Sequence, residues 1–354
     1  MKGGKNNDTV SAILQHFCVE GKSYALQTIN NGYINDTYMV LDKENPVYIL
    51  QRINHTVFHD IDGIMTNINN ALINLNDEHY KKIELIKTKD DKPYHDDENG
   101  YWRLMSYINN STTYNTTKDA NIAFEAGRII GKFHQLMEGA LKAEYVDTIP
   151  NFHNLEFRKK QFISAKAVAD LAKLNIAKDS ILFAEEILEK LKVLNNTDLP
   201  VRICHNDTKL NNILFSKESN KALCLIDLDT IMKGHFYYDF GDAVRTIVNT
   251  APEDERELHK ITFERELFNA FVDGIAANGP FLSKAEIQKL AFGAVFMPFI
   301  HGLRALTDYL NNNIYYKVAY ENQNLDRCLS LFDFTQKALN EMDYMQKVVS
   351  QKLN

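Results

Sequence analysis

The sequence predicts an α+β protein of two lobes: a small one built on an antiparallel sheet (residues 1–108) and a larger, mainly helical one (residues 109–354). Three observations predict it. Short aliphatic and aromatic runs separated by turn residues fill the first third. A polar stretch rich in Ser, Thr and Asn, Asn109 to Asn121, then changes the character of the chain. Beyond it, apolar residues recur every three or four positions almost to the end. The 354 residues are enough for two cores.

In order, strands are expected at Tyr24–Thr28, Thr37–Leu41 and Val47–Arg52, with turns at Asn30-Asn31-Gly32 and Asp42–Pro46. Ile61, Ile64, Ile68, Leu72 and Leu75 share one helical face and predict a helix over about 60–75. Two strands follow, Ile83–Thr88 and Gly100–Ile108, joined by a polar connector ending in Asn-Gly, a hairpin signal. In the large lobe, helices are expected at 122–141, 155–174, 180–194, 254–277, 284–310 and 325–349. Its only strand-like segments are Val201–His205, Asn212–Phe215 and Ala222–Ile226.

A composition of 45% hydrophobic and 25% charged residues is that of an ordinary water-soluble protein. A formal net charge of −7 argues against nucleic acid as a partner, because a phosphate backbone demands a basic surface. Cys18, Cys204, Cys224 and Cys328 are too far apart in sequence for a paired metal motif and read as reduced thiols. The polar start lacks the apolar core of a signal peptide. The longest apolar stretch, Ala291–Leu303, is interrupted by Pro298 and His301 and reads as a buried helix, not a membrane span. A cytoplasmic setting without membrane contact is expected; oligomeric state is not legible.

The chemistry is concentrated between the three strand-like segments. Arg202-Ile203-Cys204-His205-Asn206-Asp207 gives His-x-Asp; four residues later comes Asn212; then an apolar run, Cys224-Leu225-Ile226, ends in Asp227. Phosphoryl transfer of the kinase type needs this combination: one carboxylate for the attacking hydroxyl, and an amide and a second carboxylate for Mg2+. Asp207 is the candidate base, Asn212 and Asp227 the candidate metal ligands, and His205 a brace for the loop. Asp239-Phe240-Gly241 imitates a kinase metal motif, but it follows Tyr237-Tyr238 instead of an aliphatic strand. Asp239 therefore reads as a buried acceptor pinning the catalytic loop. Asp229 shares a face with Asp227 on an extended segment and reads as a support for the metal ligand, a substrate contact or a turn residue.

No strand lysine is available to grip nucleotide phosphates. Arg52, on one face with Tyr48 and Leu50, offers a forked cation in its place. Met105–Ile108 closes the small lobe where adenine would dock on backbone groups, making Ser106 and Ile108 candidate nucleotide contacts.

The pattern resembles the aminoglycoside phosphotransferase branch of the protein-kinase-like fold. A narrower resemblance rests on Asn31-Gly32-Tyr33-Ile34-Asn35-Asp36-Thr37-Tyr38, Ile49-Leu50-Gln51-Arg52-Ile53-Asn54, Ile149-Pro150-Asn151-Phe152-His153, Ile226-Asp227-Leu228-Asp229-Thr230, Tyr238-Asp239-Phe240-Gly241-Asp242 and Leu303-Arg304-Ala305-Leu306-Thr307-Asp308-Tyr309-Leu310. These segments are similar to N-acetylhexosamine 1-kinases. The resemblance implies ATP and Mg2+ as cofactors, a sugar as partner, and transfer to its anomeric hydroxyl. It implies Asp207 as base beside the sugar, Asp227 as metal ligand, Arg304 and Tyr315 at the sugar and Tyr33 in the loop that closes over it, while Asp229 stays a candidate sugar contact on its position alone. Gly32, Asn35 and Thr37 belong to the loop expected over the phosphates. Tyr33 stands where the family has His, and Asn313 where Asp is common. Two other readings stay open: a kinase of the same fold for choline, an amino alcohol or an aminoglycoside, and a nucleotide-binding protein without activity.

Overall fold

A computed structural model describes residues 7–29, 34–98, 100–194 and 199–354. The small lobe is a six-stranded antiparallel sheet of β1 (Tyr24–Ile29), β2 (Asp36–Asp42), β3 (Asn45–Ile53), β4 (Leu85–Ile86), β5 (His95–Asp97) and β6 (Gly100–Ser106). Its main path runs β1-β2-β3-β6-β4, and β5 pairs with β6. The two faces have different neighbours. Val40, Leu50, Trp102 and Leu104 point to the outer face, where they bury Val10, Ile13, Leu14 and Phe17 of an N-terminal helix, α1 (Asn7–Ile13), and the turn after it. That helix was not expected from the polar start of the chain. Thr37, Gln51 and Arg103 point the other way, into the cleft between the lobes.

Helix α2 (Ile61–Asn74) ties the lobes together. Asp60 caps it by accepting from Gly63 N, and its apolar face joins the core of the large lobe. On that helix Asn67, fully buried, donates to the carbonyls of Val146 and Ile231, both at 2.8 Å, and accepts from Val146 N.

The large lobe is helical: α3 (Ala120–Leu136), α4 (Leu155–Val168), α5 (Leu171–Ile176), α6 (Lys178–Leu194), α7 (Phe236–Ile247), α8 (Arg265–Ala276), α9 (Lys284–Leu310), α10 (Gln323–Asn340) and α11 (Met342–Lys352). Between them lie β7 (Ser111–Thr112), β8 (Arg202–Cys204), β9 (Ile213–Ser216), β10 (Ala222–Leu225) and β11 (Met232–Gly234). β10-β9-β7 form one small sheet and β11-β8 another.

Several expected helices are shorter or divided, for local reasons. The 155–174 helix breaks at Ala169 because Asp170 takes an extended backbone and caps a new helix through Ala172 N. Residues 254–264 are mostly irregular, and the helix begins only at Arg265. The 325–349 helix is two, separated at Glu341. Helix α7 was not expected: its aromatic start, Phe236-Tyr237-Tyr238, masks the periodicity.

α9 is long and apolar enough to cross a membrane by length and composition, with mean hydropathy 1.4, but 89% of that window is buried inside the protein. It is the central helix of the lobe, started by a capping box between Ser283 and Glu286. It crosses α7 so closely that a Cβ on Gly241 would overlap the Gly293 carbonyl. Gly241→Ala is therefore expected to destabilise the protein by about 3 kcal/mol, measured as a shift in the denaturant midpoint.

Candidate active site

The cleft is floored by the loop between β8 and β9. Its geometry begins with Asp239, fully buried on α7. Asp239 Oδ2 accepts from His205 N at 2.8 Å and Oδ1 from Asn206 N at 2.7 Å. His134 Nε2 lies 2.8 Å from the same Oδ2, and Thr208 Oγ1 donates to the Asp239 carbonyl at 2.6 Å. One carboxylate thus fixes the two peptide groups just before Asp207. His205 adds a second clamp, its Nε2 2.9 Å from the Ile226 carbonyl, so the Asp207 loop is tied to the strand that delivers Asp227. Asn206 sits at φ 63°, a left-handed conformation that Asn tolerates, and its amide donates to the carbonyls of Cys204 and Thr230.

Held this way, Asp207 projects into the cleft. Its Oδ2 accepts from Lys209 Nζ at 2.9 Å and from Asn212 Nδ2 at 2.8 Å. Lys209 was not singled out from the sequence. Burial disfavours its charge, but Asp207 and Asp227 overcome that and hold its ammonium above the usual range. Asn212 lies at the end of a 3-10 turn, Leu210–Asn212, and also donates to the Asp207 carbonyl.

Asp227 follows β10 at φ 61°, a turn that swings its carboxylate over the cleft. Its side chain is exposed to solvent. Desolvation by the surrounding protein, then Asp229 and Asp207, push its carboxyl up to about 6. Among the described residues it makes no hydrogen bond or ion pair. Asn212 likewise spends its amide hydrogens and keeps its side-chain oxygen without a partner. An unpaired carboxylate and an amide oxygen beside a second carboxylate are hard oxygen donors suited to Mg2+.

Several site expectations need correction. Arg52 does not face the cleft. It sits on the outer face of β3, paired with Asp36 (Nε–Oδ2 2.9 Å), because Leu50 on the same face is buried with α1. Arg52→Ala is expected to leave ATP affinity unchanged and to alter stability by less than about 1 kcal/mol, since the pair is half-exposed. The cleft-facing cation is Arg103 on β6, directly opposite Gln51. Its Nη2 donates to Gln51 Oε1 at 2.7 Å, and its Nη1 pairs with Asp229 Oδ1. The sequence held a signal for this: in Trp102-Arg103-Leu104 the alternation puts Arg103 opposite two apolar residues.

Asp229 is consequently not open to a substrate. It is buried, with Oδ1 on Arg103 and Oδ2 on Asn35 Nδ2 at 2.7 Å. It bridges the lobes. Asn35 also accepts from Asn54 N at 3.0 Å, so its carboxamide is committed to the fold and is not free for a phosphate. Thr37 does face the cleft and accepts from Gln51 at 3.1 Å. Ser106 shares the outer face with Tyr48; its N–H donates to Glu84 O and its Oγ accepts from Glu84 N. Ile108 lies at the lobe crossing, its carbonyl accepting from Ser111 Oγ at 2.6 Å. Gly32 and Tyr33 lie outside the described residues.

Arg304 and Tyr315 come together at the far end of the cleft. The Arg304 guanidinium lies 4.9 Å from the Phe152 ring and 5.8 Å from each of the Tyr315 and Tyr316 rings. Next to Phe152, His153 Nε2 lies 3.2 Å from the Asn206 carbonyl, which links this cluster to the Asp207 loop. Tyr315 is supported by Asp308, whose Oδ1 accepts from Tyr315 N at 2.8 Å and Oδ2 from Tyr316 N at 2.9 Å. Asn313 joins through Asn324, whose amide bridges Asp308 and Asn313. An acid at 313 is thus not needed to hold Tyr315.

With this geometry in place, the comparisons are specific. The profile of the Phosphotransferase enzyme family matches residues 25–269, and the chain belongs to that family. Its fold is that of several solved structures. One is a microcompartment-associated aminopropanol kinase (TM-score 0.64, 15% identity, covering 96% of this chain and 99% of that one). Another is a spectinomycin phosphotransferase in complex with ADP and spectinomycin (0.61, 13%, 99% and 100%). A third is a choline/ethanolamine kinase family protein from Mesorhizobium loti (0.57, 14%, 97% and 99%). At these identities the likeness carries the bilobal, protein-kinase-like fold.

Proposed function

We propose that this protein transfers the γ-phosphoryl group of ATP to the anomeric hydroxyl of an N-acetylhexosamine, giving the sugar 1-phosphate. The observation that carries the transfer is the arrangement of Asp207, Lys209, Asn212 and Asp227 on one cleft floor.

Asp207 orients the acceptor hydroxyl and takes its proton as the oxygen attacks phosphorus in line. Lys209, 2.9 Å from Asp207, lies where it can balance negative charge on the moving phosphoryl group. Asn212 and Asp227 would hold Mg2+, which when bound neutralises the nucleotide phosphates and orients them. Arg103 acts indirectly, by holding Asp229 and so the turn that presents Asp227. Among buried ion pairs, breaking one by removing a partner costs about 3–5 kcal/mol, and Arg103→Ala is expected to lose stability of that order in denaturant unfolding.

The sugar assignment is supported by the family-like segments and by the wall at Arg304. A pyranose is held by a few directed donors over an aromatic surface, and Arg304 over Phe152, Tyr315 and Tyr316 has that character. The fold neighbours named above are kinases of aminopropanol and choline or ethanolamine and a spectinomycin phosphotransferase, which suggests an amine-bearing acceptor as the second reading. Arg304 in the wall speaks against it, because a cationic acceptor would meet like charge. ADP release measured across N-acetylglucosamine, N-acetylgalactosamine, choline, aminopropanol and spectinomycin tests the choice. Turnover confined to the amines would overturn the sugar reading.

A further inference from the structure

The acceptor wall carries more positive charge than the fold neutralises. Arg158 on α4 donates from Nε (3.2 Å) and Nη2 (3.0 Å) to the Phe152 carbonyl, and from Nη1 to Gln161 Oε1 at 2.8 Å. Arg304 on α9 lies over the ring of the same Phe152. Two guanidinium groups therefore flank one residue, and among the described residues neither has a carboxylate partner. Both are half-buried and keep part of their surface in contact with solvent.

Asp147 and Glu156 line the pocket beside Phe152 but pair with neither arginine among the described residues, and three further carboxylates of this lobe are committed elsewhere. Glu253 pairs with Arg245 at 2.7 Å and also with Arg327. Asp242 pairs with Arg245 at 2.8 Å. Both Asp308 oxygens are occupied by Tyr315 N, Tyr316 N and Asn324. The two histidines between this wall and the catalytic loop add no further positive charge. Burial holds His153 well below its usual value, and burial then Arg245 lower His301 to about 4, so both are neutral. Burial and then Arg304 lower the Arg158 guanidinium to about 10, so it remains charged at neutral pH.

Arginine is the side chain that presents a planar fork to carboxylate or phosphate oxygens, and stacking on rings fixes its direction. We propose that Arg158 and Arg304 form an oxyanion subsite in the acceptor pocket, which takes a carboxylate or phosphate group, either borne by the acceptor away from its reacting hydroxyl or free in solution. The subsite rests on the acceptor-side placement of Arg304 argued above. It adds a substrate class, anionic sugar derivatives, and an inhibitor class, inorganic phosphate.

The test uses the full chain with a non-hydrolysable Mg-ATP analogue bound, so that the α-, β- and γ-phosphate positions are all filled. Inorganic phosphate is titrated by calorimetry against wild type, Arg158→Gln and Arg158→Lys at constant ionic strength. Removing a charged donor should weaken phosphate binding by about tenfold or more in Arg158→Gln, with affinity for the Mg-ATP analogue unchanged. Arg158→Lys, which keeps the charge, should retain part of the binding and guards against a misfolded Gln variant. In a second arm, N-acetylglucosamine 6-phosphate and glucuronate are compared with their neutral parents as acceptors. A lower KM for the anionic forms, lost in Arg158→Gln, assigns the group to the acceptor. Phosphate binding without that gain assigns the subsite to free phosphate. If neither phosphate affinity nor anionic-sugar KM depends on Arg158, the subsite is wrong. The phosphate arm needs no sugar turnover, so failure of the sugar 1-kinase reading is seen separately, as absence of transfer to any neutral sugar.

Discussion

Asp207→Asn lowers turnover by about a hundredfold to ten-thousandfold, the usual cost of removing a placed general base, and leaves Mg-ATP binding intact. The expectation follows from how the loop is held. Its backbone is fixed by Asp239 through His205 N and Asn206 N, and by the His205 ring on Ile226 O, none of which uses the Asp207 carboxylate. Asparagine keeps the shape and can still meet Asn212 and Lys209, but it cannot accept the proton. Steady-state kinetics with a nucleotide titration checks both halves. Near-normal turnover in a folded Asp207→Asn protein would remove Asp207 from the mechanism. Turnover in the wild type that disappears in this variant would also rule out an inactive nucleotide-binding protein.

Asp227→Ala should abolish the Mg2+ dependence of nucleotide binding. Residues that merely support a metal ligand typically cost about 10–100-fold in metal affinity when removed, so losing the ligand itself should cost at least that. Asp227 is suited to the measurement because its carboxylate has no protein partner to break among the described residues. Removing it also relieves repulsion with Asp229 and Asp207, so the variant should fold at least as stably as the wild type near neutral pH. Nucleotide affinity is read by calorimetry with and without Mg2+. An unchanged difference between the two conditions would contradict the metal role.

Much of this site was legible in the sequence because its spacing is short. His205, Asp207 and Asn212 lie within one loop, and Asp227 ends the next strand, so local structure alone brings them together. The same locality explains why Asp239 could be separated from a metal motif: Asp227, at the end of the apolar run Cys224-Leu225-Ile226, already stood where the metal ligand is needed. What failed was information about faces and partners. The alternation along β3 was right, Arg52 with Leu50 and Gln51 opposite, but which face meets the cleft depends on α1, a short helix in a polar segment. Asp229 could not be resolved either, since its partners Arg103 and Asn35 lie 126 and 194 residues away. The cost of burying such a carboxylate is what makes those distant partners necessary. Lys209 was overlooked because a lysine in a polar loop has no periodic signature.

The glycine-241 crossing and the Arg52–Arg103 exchange bear on the scaffold, while the phosphate titration bears on the acceptor wall. The central claim is the identity of the bond made. The most direct measurement is phosphorus NMR of the product formed from ATP, Mg2+ and N-acetylglucosamine or N-acetylgalactosamine. The account predicts a new phosphate signal coupled to the anomeric proton of the sugar, absent with Asp207→Asn. Phosphate on another sugar carbon, or transfer only to choline, aminopropanol or spectinomycin, would contradict it.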